Sequence, residues 1–70
     1  MSYVAYIKAD EGFLLGGVKS QESNPMETRE MAENLAAVWR ETNEKAGRKV
    51  AVAGWRLSGR KPRIMRMEIV

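Results

Sequence analysis

The sequence contains neither cysteine nor histidine. The first absence excludes disulfides, and the two together remove the usual ligands of a structural zinc site. A cysteine-free chain also suits a reducing compartment, so a cytoplasmic location is the expectation. No stretch approaches the roughly 20 apolar residues that span a bilayer as a helix. The opening Met-Ser-Tyr-Val lacks the basic-then-apolar layout of a secretory signal. Catalytic groups are scarce too: no Ser lies in a strand-to-helix nucleophile elbow, and Asp10 and Glu11, adjacent in a turn, would point apart. The chain is therefore expected not to be an enzyme. No cofactor is expected either, because Gly47-Arg48-Lys49 lacks the Gly-rich stretch, strand and Ser/Thr of a phosphate-binding loop.

What is present is 70 residues, 44% hydrophobic and 30% charged, a globular balance for one domain over residues 1–70. A domain this small buries a modest share of its surface. With disulfides and metal both missing, tight packing or self-association has to compensate, which makes a homodimer one expected state.

The periodicities indicate two β-hairpins around one helix. Residues 3–9 are β-branched and aromatic and predict a strand. Asp10-Glu11-Gly12 is a three-residue loop with a left-handed Gly at its end, leading to a second strand at 13–19 in which Gly16-Gly17 marks a bulge or a close approach. A polar connection follows. Asn24 then caps a helix, Pro25 takes its first position and Glu27 completes a capping box. Met31, Ala32, Leu35, Val38 and Trp39 form its apolar stripe, and Gly47 ends it, for a span of about 25–46. Residues 50–57 predict a third strand, residues 58–61 a turn around Gly59, and residues 62–70 a fourth strand. The expected fold class is α+β, ββαββ, with antiparallel hairpins forming one four-stranded sheet and the helix packed on one face.

A two-residue Gly59-Arg60 loop sets a testable register for the second hairpin. It gathers Val50, Val52, Met65, Met67 and Ile69 on a core face, and puts Trp55, Leu57, Ile64 and Arg66 on the other. Arg56 then faces Arg63, beside Arg60 and Lys61 in the turn. Like charges in direct opposition are destabilising.

Charge follows the same division. The net charge is +3, yet eight of the twelve cations lie from Lys45 to Arg66 with no acid among them, and eight of the nine acids come earlier. Arg56, Arg60, Lys61, Arg63 and Arg66 are thus candidates for binding nucleic acid or an acidic protein surface. A solvated turn, paired with Asp10 and Glu11, would carry the same residues without a ligand. Trp55, Leu57 and Ile64 are a candidate interface, with packing under a loop or in a dimer as the alternative for Trp55. Lys45, Arg48 and Lys49 are explained by the negative end of the helix dipole. The leading expectation is a nucleic-acid-binding accessory or regulatory protein, and the alternative is a protein-binding inhibitor or adaptor. Two hairpins around one helix is similar in build to several small phage-encoded regulators and anti-defence proteins. That likeness is one of size and architecture, and it transfers no residue roles.

Overall fold

In the computed structural model, which describes residues 2–59, β1 (Ser2–Ala9) is the central strand of an antiparallel sheet. β2 (Ser20–Glu22) lies on one side of it and β3 (Val50–Ser58) on the other, giving the order β2-β1-β3. One helix, α1 (Arg29–Lys45), packs on one face. Among the described residues the protein is therefore α+β, with one helix and three strands. The fourth strand at 62–70, with Met65, Met67 and Ile69, lies outside the described residues.

The second strand does not form where the sequence suggests. Gly16 and Gly17 are both left-handed, at φ +90° and +76°, and two consecutive left-handed residues cannot continue a pleated strand. The segment instead curls on itself. Leu14 N–H donates to the Val18 carbonyl (2.7 Å), Gly17 N–H donates to the Leu14 carbonyl (3.1 Å), and the Leu14 side chain is fully buried. The polar residues after it supply the strand. Ser20, Gln21 and Glu22 pair with Lys8, Ile7 and Tyr6.

That strand continues irregularly along β1 and explains why the helix starts late. Tyr3 and Met26 exchange backbone hydrogen bonds of 2.9 and 2.7 Å, and Pro25 is buried beside them. Held on the sheet edge, Asn24, Pro25 and Met26 cannot enter a helical turn, so neither the Asn24 cap nor its capping box forms. Thr28 caps instead, with extended backbone and its Oγ1 accepting from Met31 N–H (3.2 Å). The other end follows expectation. Gly47 is left-handed at φ +80°, its N–H donates to Glu44 O (3.0 Å), and Arg48 N–H donates to Asn43 O (2.9 Å). These two bonds make a Schellman cap.

The helix meets the sheet through small residues. Ala32 and Ala36 are buried with Ala5 of β1, which lets helix and strand approach closely. Tyr3, Met26, Leu35, Trp39, Ala53 and Trp55 are packed around that contact. The inward stripe is thus Ala32, Leu35, Ala36, Trp39 and the buried Asn43, whereas Met31 and Val38 are 52% and 56% exposed. Their assignment to the core stripe is corrected. Turning Ala32 and Ala36 inward rotates the helix so that both larger side chains move to its flank.

The face of β3 is inverted from the expected one. Trp55 pairs with Ala5 and Ala53 with Ile7, and both lie on the helix side. Val52 pairs with Lys8 on the opposite side and is 41% exposed. A bulge adds to the departure. Lys8 pairs with Val52 but Ala9 with Val50, so Ala51 is the extra residue, and the two valines no longer share a face.

Candidate functional site

The face of the sheet away from the helix carries Val4, Tyr6 and Lys8 of β1, Ser20 and Glu22 of β2, and Val52, Gly54 and Arg56 of β3. Period-two alternation alone places them together. Tyr6, Lys8, Ser20, Glu22, Val52 and Arg56 line a recess of about 370 Å³ on this face. Gly54 shapes it. The Tyr6 ring leans across β3, with Oη, Cε1 and Cζ 3.7–3.9 Å from where a Cβ on Gly54 would sit. A glycine inside a strand commonly marks such a close approach.

Cations flank the ring along the strands. Arg56 stands at the register of Val4 and Lys8 four residues further along β1, about 13 Å at the usual rise per residue. Lys8 is exposed. Arg56 is engaged: its Nη2 contacts both carboxylate oxygens of Glu22, with the Oε2 contact at 2.9 Å. Both side chains are about half exposed, 48% and 49%, so the pair is a modest stabiliser, on the order of 0–1 kcal/mol.

The same exchange recurs across the molecule. Lys49 pairs with Glu11 (3.3 Å) and Lys45 with Glu41 (2.9 Å), while Arg48 donates to the Phe13 carbonyl (3.4 Å). Every described cation of the basic half therefore meets an oxygen, three of them on carboxylates from the acidic half. An acid does neutralise Arg56, but it is Glu22 and neither Asp10 nor Glu11.

Of the expected binding residues, the structure places Arg56 on this recess. Arg60, Lys61, Arg63 and Arg66 lie outside the described residues, as does Ile64. Trp55 packs against the helix, edge-on to Tyr3 (centroids 5.7 Å apart, interplanar angle 71°), with the Arg29 guanidinium 5.5 Å from its ring. It is a half-buried part of the core margin, and the like-facing Leu57 is 50% exposed beyond the helix. Tyr6, Lys8 and Glu22 were not singled out from the sequence. Tyr6 could have been, because Gly54 signals space on one face of β3. Glu22 could not, because its strand reads as a polar connection.

Among the described residues no three acidic side chains cluster as a metal site would require, and no helix is long and apolar enough to cross a membrane. No protein-family model matches the chain, and no curated protein or solved structure shows detectable similarity to it.

Proposed function

We propose that this protein is a non-enzymatic nucleic-acid-binding module with an accessory or regulatory role. The observation that carries this reading is the placement of the exposed Lys8 and the half-exposed Arg56 together on the sheet face away from the helix. From there the chain runs on into Arg60, Lys61, Arg63 and Arg66 with no intervening acid. Arginine presents a planar fork suited to phosphate, and clustered cations favour polyanions. The Arg56–Glu22 pair does not oppose the reading, since a half-exposed ion pair is weak enough for a phosphate to replace.

A salt-titrated binding assay against duplex and single-stranded DNA and RNA tests it. Binding should weaken linearly in log–log form as salt rises, by close to one power of salt per phosphate neutralised on duplex DNA. The double variant Arg56→Ala/Arg63→Ala should bind more weakly with its fold intact. No binding to any of the four at low salt would end this reading.

A protein-binding inhibitor or adaptor is the second reading, and one observation favours it. Met31 and Val38, seven residues apart on one flank of α1, are exposed apolar side chains at helical spacing. With Trp55 engaged against the helix, that flank is a stronger docking candidate than the Trp55 and Ile64 face.

A further inference from the structure

We infer that the recess at Tyr6, Lys8 and Arg56 seats one unpaired nucleotide of a single-stranded nucleic acid, and that Glu22 holds Arg56 until a phosphate displaces it. This inference rests on the nucleic-acid reading above and adds the form of the ligand and the control of the site.

Three observations converge on it. First, Tyr6 is a half-buried aromatic side chain that lines a recess on the sheet face away from the helix, laid over a residue without a side chain. Aromatic rings on sheets are stacking platforms for unpaired bases, and a paired base inside a duplex cannot reach such a ring. Secondly, the ring lies between two cations spaced along the strands, so a nucleic-acid backbone running past it would meet Arg56 at one end and Lys8 at the other. Val52, 41% exposed, adds an aliphatic side chain opposite Lys8. Thirdly, the recess, about 370 Å³ and lined by side chains of three adjacent strands, has room for a base turned out of its stack.

Glu22 gives the site its threshold. Its carboxylate already occupies the Arg56 guanidinium and adds a negative charge to the rim. A nucleotide has to exchange this pair for its own phosphate, so affinity is lower than the cations alone would provide.

The test is binding of fluorescent oligothymidylate and of a duplex of equal length, for wild type and four variants. Single strands should bind at least tenfold tighter than duplex. Tyr6→Leu should lose about tenfold, the usual scale of one stacked base, and Tyr6→Phe, which keeps the ring, should lose clearly less than Tyr6→Leu. Glu22→Gln should tighten single-strand binding several-fold, while Glu33→Gln, the same charge change on the outward side of α1, should leave it unchanged. Duplex binding as tight as single-strand binding, or equal gains from both Gln variants, overturns the inference while leaving nucleic-acid binding in place. The absence of binding to either probe defeats the broader reading instead. Because Tyr6→Leu disturbs a half-buried residue, the exposed Glu22→Gln and Glu33→Gln comparison decides the matter if that variant fails to fold.

Discussion

One amide side chain ties the 10–19 loop to the helix, and removing it should have a defined cost. Asn43 is buried near the end of α1. Its Oδ1 accepts from Leu15 N–H (2.8 Å), and its Nδ2 donates to the Trp39 carbonyl one turn earlier (2.7 Å). In Asn43→Ala the Leu15 N–H loses its partner, a loss of about 0.5–1.5 kcal/mol for a hydrogen bond of this kind. The Trp39 carbonyl keeps its helical bond, so the second loss adds little. Alanine recovers roughly half a kcal/mol of helix propensity. Loosening of the loop also relaxes the seating of Leu14, whose side chain is fully buried. The net effect should be about 1 kcal/mol of destabilisation, which lowers the melting temperature by about 4–8 °C in a domain of this size. Thermal melting followed by circular dichroism measures the total, and amide hydrogen exchange at Leu15 measures the local part. Asn43→Asp separates the two. It keeps an acceptor for Leu15 but sets a buried carboxylate oxygen against the Trp39 carbonyl, where Nδ2 donated, and a negative charge at the negative end of the helix dipole. It should therefore lower the melting temperature further than Asn43→Ala, while Leu15 N–H keeps more protection than it does in Asn43→Ala. An unchanged melt in Asn43→Ala, with Leu15 exchanging as slowly as in wild type, would refute the assignment of the loop to this side chain.

Two further substitutions probe the fold. Gly47→Ala should cost about 1 kcal/mol in urea unfolding, because a Cβ there meets no atom within 4 Å and only the left-handed φ of +80° penalises it. Full retention of stability would show that the helix can end without that cap. Trp55→Ala should cost about 2–3 kcal/mol, somewhat below the range for a fully enclosed tryptophan, since the ring is half-buried against Tyr3 and Arg29. A variant as stable as wild type would return Trp55 to the role of a free docking residue.

The sequence was most legible where local chemistry and tertiary packing agree. β1, β3 and the Gly47 stop are locally determined, by β-branched and aromatic content and by a left-handed glycine. It was least legible where long-range pairing overruled a local signal. Asn24-Pro25-Met26-Glu27 is a sound helix start in isolation, but the Tyr3–Met26 pairing, 23 residues apart in the chain, takes Pro25 and Met26 for the sheet edge. Ser20, Gln21 and Glu22 form a strand that no propensity announces, because β1 supplies the edge and the glycines before them end the previous segment. The face of β3 failed for a different reason. Its register was reasoned against a partner at 62–70, whereas the helix side is decided on the β1 edge, where Ala5 leaves room for Trp55.

The same distinction applies to charge, and it changes what the basic half of the chain means. Linear segregation of acids and cations invites the picture of a basic surface awaiting a polyanion. Folding reverses much of it: β2 brings Glu22 to Arg56, the first loop brings Glu11 to Lys49, and the helix sets Glu41 against Lys45. Net charge on a stretch of sequence therefore overstates the free positive surface among the described residues. The site that remains is defined by position rather than by total charge. Lys8 comes from the acidic half and was no candidate on charge grounds, yet it shares a sheet face with Arg56 and the Tyr6 ring. If binding depended on total charge, Lys8→Ala and Lys45→Ala would weaken nucleic-acid affinity equally. If it depends on this face, Lys8→Ala should weaken it several-fold more than Lys45→Ala, whose ammonium is already paired on the helix. Equal losses in a side-by-side titration at one salt concentration would return the argument to bulk electrostatics and remove the sheet face from it.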